Sequence, residues 1–206
     1  AGRISASIDR EWLRLWKDDT GFFGFFDTIN DQKVATALLE EAEGWLRKRG
    51  MKRAMGPFSL YPNEEVGVLI EGFQYPPVLM MAHSRPYQGK LAEGAGYEKE
   101  KDLYCWRYTD RTPFSDRTLK AWEHIKSLPE VKLRSVDMKR FDEEIRTIMD
   151  IYNDAWEGKW AFVPAVPDEV AKMAEDLSLV IDEDLAFIAE LEGRPVAMCI
   201  LLPNLN

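Results

Sequence analysis

Apolar side chains recur along this chain at two periods, and the periods mark its elements. Arg3–Ile8 reads as a short strand. Gly21-Phe22-Phe23-Gly24-Phe25-Phe26-Asp27 reads as a second, aromatic at both parities, which predicts burial on both faces. The period then lengthens. Asn30 makes a good N-cap, Asp31 suits a first turn and Gly50 is a stop signal, which predicts a helix over Asp31–Arg49. Val34, Leu38, Ala42 and Trp45 line its apolar stripe, widened by Ala35, Leu39 and Leu46. Lys52–Met55 is a short strand closed by Gly56-Pro57. Residues 61–77 are loop-rich, with Pro62, Gly67, Gly72, Pro76 and Pro77. Val78–Ala82 is a buried-strand candidate and Met80-Met81 are read as core. Pro86–Ala95 is a short helix and Leu103–Tyr108 a further strand.

After the polar stretch Thr109-Asp110-Arg111-Thr112-Pro113 the pattern resumes with a helix over Asp116–Leu128 and a strand over Val131–Val136. Phe141, Ile145, Ile148, Tyr152 and Trp156 keep helical spacing and predict an amphipathic helix over about 139–157. Pro167 is placed to start another, with Val170, Met173, Ala174 and Leu177 as its stripe. Leu185–Leu191 and Pro195–Leu202 form a hairpin across Glu192-Gly193-Arg194.

Composition narrows the classes. The 206 residues suit one generous domain or two small ones, and 46% apolar content is enough for a core. With 27 basic against 36 acidic side chains the net charge is −9, which argues against a nucleic-acid or anionic-membrane binder. Residues 111–206 hold 12 basic and 19 acidic side chains, against 15 and 17 in residues 1–110, so the break near 110 reads as a boundary between two halves. No run of apolar residues is long enough for a membrane span, and no signal peptide is visible. Two widely spaced cysteines and two histidines make no metal pattern, so a cytoplasmic protein without metal is expected.

The strand and helix around Phe25–Leu39 are the first chemical candidate. A strand feeding a helix N-terminus presents backbone N–H groups and the positive dipole end, which suits phosphate; an ordinary capped helix is the simpler account. The basic run Arg47, Lys48, Arg49, Lys52 and Arg53 is accounted for by the helix dipole. Trp156, Trp160 and Phe162, with Pro164 and Pro167, form an aromatic–proline patch, either a pocket wall or interhelix packing.

The segment Phe25-Phe26-Asp27-Thr28-Ile29-Asn30-Asp31-Gln32-Lys33-Val34-Ala35-Thr36-Ala37-Leu38-Leu39-Glu40 resembles the acyl-CoA loop and following helix of the GNAT superfamily of N-acyltransferases. Ala95-Gly96-Tyr97 is similar to that family's Leu-Gly-Phe, and the strand, helices and hairpin of the second half resemble the start of the same fold. Asn30 stands at the family's Arg/Gln position, Lys33 at its first Gly and Ala35 at its last. The resemblance implies an α/β (α+β) fold with a mixed, mostly antiparallel sheet flanked by helices, permuted or built from two half-domains. Residues 1–110 would be the later part of such a domain and 111–206 a linker helix and the earlier part, completing one combined sheet.

It also implies acetyl-CoA or another acyl-CoA as co-substrate, held by Phe25, Phe26, Asp27, Asn30, Gln32, Lys33, Val34 and Ala35. The family's proton-donor Tyr position is Ala92 here, which leaves Tyr87 or Tyr97 to protonate the thiolate and Glu65, Glu64 or His83 as base. For each of these a packed Tyr or a solvated loop residue is the simpler account. The expected activity is acyl transfer to a small amine or amino-acid-like acceptor. The alternatives are a non-catalytic binding domain and a dimerisation module, with a homodimer as partner.

Overall fold

The computed structural model describes residues 1–60 and 64–204; Pro62, read above as part of a loop, lies outside them. It is a mixed α+β structure with two small, antiparallel-rich sheets of three strands each. The chain divides into two compact units. One is built from Ala1–Leu103 with Trp160–Pro164, the other from Tyr104–Lys159 with Ala165–Pro203.

In the first unit, β1 (Gly2–Ser7) pairs antiparallel with β2 (Thr20–Thr28), which pairs in parallel with β3 (Arg53–Met55). The parallel step requires a crossover, and α2 (Gln32–Arg47) supplies it. The N-cap of α2 is Asp31, not Asn30: its carboxylate accepts the Lys33 N–H at 2.8 Å. The centre of the α2 stripe is Ala35, Leu39, Ala42 and Leu46, all buried, with Val34, Leu38 and Trp45 half-buried at its margin. A seven-residue helix, α1 (Arg10–Trp16), precedes β2, capped by Asp9; the apolar pattern alone does not reveal it.

Both faces of β2 are covered. Phe22 packs with Trp12, Phe58, Ala161 and Val163, and Phe23 with Leu39, Ala42 and Leu91. Strict alternation would put Phe26 on the Phe22 face. It joins Phe23 instead. The reason is a bulge: between the pairs Arg3↔Asp27 and Ser5↔Gly24, β2 carries one more residue than β1. Phe25 sits in the bulge with φ +45° and its side chain 41% exposed, so the expectation of buried aromatics throughout fails at this residue. At Gly24 any Cβ would collide with the Phe58 carbonyl, which is why the aromatic strand needs a glycine there.

Two predicted strands are absent. Residues 78–82 and 103–108 take no regular structure, and Val78, Met80, Met81, Tyr104 and Trp106 are exposed. Their apolar sequences suit a strand, but among the described residues no strand pairs with either in a ladder. The short helix survives as α3 (Gln88–Gly94).

In the second unit α4 (Asp116–Lys126) is capped by Ser115. The sheet runs β4 (Val131–Ser135), β5 (Ala186–Leu191), β6 (Arg194–Ile200), all antiparallel. The β5–β6 turn has Glu192 and Gly193 at φ +53° and +78°, matching the right-handed twist of a two-residue hairpin. α5 (Phe141–Trp156) and α6 (Pro167–Ser178) pack on one face through Ile145, Ile148, Met149 and Ala174 against Val136, Ala186 and Ile188. Among the described residues the expected single combined sheet is not seen: every ladder pairs strands of the same unit.

Candidate functional site

A group of polar side chains gathers where β2 ends and α2 begins. The first turn of a helix leaves N–H groups without intrahelical partners, and Asp31 satisfies that of Lys33. α3 is fastened beside this turn by three bonds. Tyr87 donates its hydroxyl to the Thr28 carbonyl at 2.9 Å, Gln88 Nε2 donates to the Phe26 carbonyl at 2.7 Å, and Gln32 Nε2 donates to the Leu91 carbonyl at 2.9 Å. Between these elements lies an open cavity of about 400 Å³ lined by Asn30, Gln32, Pro86, Tyr87, Lys90 and Leu91.

Three residues singled out in the sequence therefore meet: Asn30, Gln32 and Tyr87. Phe26 and Thr28 adjoin them through their carbonyls. Phe25 and Asp27 are exposed, as is the Lys33 side chain. Val34 is half-buried, and Ala35 is fully buried in the core, where it offers a ligand no side-chain surface.

The other candidates stand apart from the cavity lining. Tyr97 packs edge-on to Phe23. Its hydroxyl is buried, and burial first, then Glu43, raises its pKa well above the ordinary value. Glu43 is near enough to act electrostatically but makes no well-formed hydrogen bond, so the hydroxyl has no partner. Glu43 lies eleven residues beyond Gln32 on α2, roughly 16 Å along its axis. Glu65 and Glu64 are exposed beside the bridge Phe58↔Val66. His83 Nε2 lies 3.2 Å from the Tyr75 carbonyl in an exposed loop. The segment Ala161–Val163 packs on Phe22, and Trp16 donates to the Phe162 carbonyl at 3.2 Å, so this part of the aromatic–proline patch is core.

Lys90 and Gln88 were missed. Lys90 is three residues after Tyr87, hence on the same helix face; that spacing was the available signal. Among the described residues no group of three His, Cys, Asp or Glu could hold a metal ion, and no helix is long and apolar enough to cross a membrane.

No family model matches this chain, and no solved structure matches it with significance. Two curated relatives do. Protein YghO of Escherichia coli (strain K12) is 39% identical over 207 residues, covering all of this chain and 52% of that protein. The bacterial ceramide synthase of Caulobacter vibrioides is 39% identical over 208 residues, covering all of this chain and 53% of that enzyme. The chain thus spans about half the length of these relatives. The second comparison overturns the expected transfer to a small amine or amino-acid-like acceptor: the relative is named for making a lipid.

Proposed function

We propose that this chain carries the acyl-donor part of an N-acyltransferase that makes a ceramide-type lipid. The observation that carries the reading is the 39% identity to a bacterial ceramide synthase along the whole of this chain. A ceramide is a long-chain amino alcohol acylated on nitrogen, so the reaction is amide formation. The amine nitrogen attacks the carbonyl of an acyl-CoA, the N–C bond forms and the C–S bond breaks. The amine gives up a proton and the departing thiolate takes one.

The strand–bulge–helix at Phe25–Leu39 supports a GNAT-type donor site. In this reading the first turn of α2 and the Lys90 ammonium face the phosphates of the coenzyme. Lys90, rather than Lys33, lines this cavity and supplies the charge. Tyr87, which lines the cavity, is the proton source for the thiolate: its hydroxyl, held on the Thr28 carbonyl in the free protein, turns its single proton to the leaving sulfur. The charge that grows on the carbonyl oxygen is met by a strand N–H at the Phe25–Phe26 bulge.

The test is binding followed by turnover. Palmitoyl-CoA at a hundred times its dissociation constant stabilises the fold by about 2.7 kcal/mol, read as a raised melting temperature. Adding sphinganine gives an N-acyl product seen by mass spectrometry. No melting shift with any acyl-CoA defeats the proposal.

A further inference from the structure

Gln88 is one of the few polar side chains buried in the first unit, at 3% exposure. Burying an amide without partners is costly, and here each polar atom has one. Its Oε1 accepts the Arg85 N–H at 2.6 Å and its Nε2 donates to the Phe26 carbonyl at 2.7 Å. The orientation is fixed by the partners, since a backbone N–H cannot accept and a carbonyl cannot donate; the flipped amide would face two mismatches.

The carbonyl it holds belongs to the residue after Phe25. A bulky residue at φ +45° is strained and persists where its surroundings over-determine it. Here they do. Three carbonyls of β2 are held by donors from outside its ladders: Phe23 by the Phe58 N–H at 2.8 Å, Phe26 by Gln88 and Thr28 by Tyr87. The Phe58 contact further requires Gly24. The bulge is thus clamped on both sides of Phe25. Gln88 is the clamp from the cavity side, adjacent in sequence to Tyr87, which lines the cavity. An apolar side chain of similar size would fill the same space and leave the Phe26 carbonyl buried without a donor.

We infer that Gln88 is a positioning residue for acyl transfer: by holding the Phe26 carbonyl it fixes the Phe25–Phe26 bulge so that a backbone N–H of the bulge meets the thioester oxygen. The inference rests on the acyltransferase reading. Gln88 forms no bond to substrate and moves no proton. It fixes in advance the donor that faces the carbonyl oxygen as the amine adds and negative charge develops there, when a fixed N–H counts most.

The experiment compares palmitoyl-CoA with S-hexadecyl-CoA, its thioether, which lacks only the carbonyl oxygen. Affinities are measured for the wild type, Gln88→Leu and Gln88→Glu, below the concentration at which the probes aggregate. One hydrogen bond makes the wild type prefer the thioester about two- to ten-fold. Gln88→Leu is expected to lose that preference while its affinity for the thioether is retained, a split that general loosening does not produce. Gln88→Glu supplies a pH signature. Its neutral carboxyl donates to the Phe26 carbonyl and accepts from the Arg85 N–H, whereas its carboxylate cannot donate. Burial and the facing carbonyl raise its pKa above the ordinary value of about 4.3, so the preference is weakest at high pH and returns as the pH falls through that raised pKa.

A folded Gln88→Leu that keeps the wild-type preference overturns the inference. Should Gln88→Leu fail to fold, a Gln88→Glu preference independent of pH overturns it in its place. A wild type that binds both probes equally overturns the inference alone. A wild type that binds neither defeats the acyltransferase reading and this inference with it.

Discussion

β2 and β5 are both apolar at both parities, yet one is covered on two faces and the other on one. Phe22 and Phe23, consecutive in β2, are 0% and 1% exposed. In β5, Ala186 and Ile188 are fully buried, but Phe187 is 37% and Leu191 43% exposed. Cross-strand partners share a face, so Leu133, which pairs with Ala189, and Cys199, which pairs with Phe187, extend that open face. The difference is the supply of packing elements. β2 has α2 and α3 on one side, and Trp12, Phe58 and residues 161–163 on the other. β5 has α5 and α6 on one side. Apolar content at both parities states what a strand can bury; the fold decides how much of it is buried.

The largest expected effects test this contrast directly. Phe22→Ala and Phe23→Ala should each destabilise by about 3–5 kcal/mol, since each empties a closed site. Phe187→Ala should stay within about 1 kcal/mol, because its ring already meets solvent. Urea unfolding of the three variants reads both. A Phe187→Ala cost equal to the other two would mean that the β5 face is covered in solution and would break the comparison.

The covered face of the second sheet holds charge, which the first sheet's core does not. Arg134 Nη1 lies 2.9 Å from both Glu144 oxygens and its Nε 2.6 Å from Glu190. The Glu144 side chain is 4% exposed and that of Arg134 24%. Glu144→Ala leaves the guanidinium short of a partner in a largely closed site and should cost about 3 kcal/mol. Arg134→Met with Glu144→Leu, which removes the charges together, should recover much of the loss in the same unfolding assay.

The same cluster makes the second unit sensitive to acid. The hydrogen bond from Arg134 is the largest influence; with the nearby positive charge it outweighs an opposing desolvation and holds the Glu190 carboxyl below its usual range. A carboxylate with a depressed folded pKa contributes stability that is complete above its unfolded value. That contribution is lost as pH falls through the folded one. Melting temperature should therefore decline below about pH 4.3, and Arg134→Met should flatten that decline. An unchanged acid limb in the variant would assign the sensitivity to other carboxylates.

What was legible in the sequence is what local chemistry determines. The hairpin follows from Gly193 in a short polar turn between two apolar runs, and α5 from five apolar residues at helical spacing. α1 was legible in principle: Asp9 caps it and Trp12, Leu13 and Trp16 share helical spacing, but a seven-residue helix is too short for a stripe. The strands read at 78–82 and 103–108 failed because a strand needs a neighbour, which its own residues do not report. At the candidate site, Asn30, Gln32 and Tyr87 could be found. Gln88 could not, because its importance depends on a carbonyl 62 positions away. The bulge was hidden for a related reason: one extra residue changes the parity of Phe26 without altering its chemistry.

The smallest effect separates stability from binding at the start of α2, the helix that covers the Phe23 face of β2. Asp31 accepts the Lys33 N–H and holds the first turn, whereas Asn30 lines the cavity and makes no cap. Asp31→Ala should cost about 1 kcal/mol, and Asp31→Asn much less, because Asn caps about as well as Asp. Asn30→Ala should leave the melting temperature unchanged and weaken palmitoyl-CoA binding, since an exposed residue outside the helix contributes through what it touches. Loosening the first turn also loosens Ala35, which is fully buried on that face, so Asp31→Ala should raise amide hydrogen exchange in β2 and leave β5 unaffected. If Asn30→Ala, rather than Asp31→Ala, lowers the melting temperature, the cap belongs to Asn30 and the cavity begins one residue later.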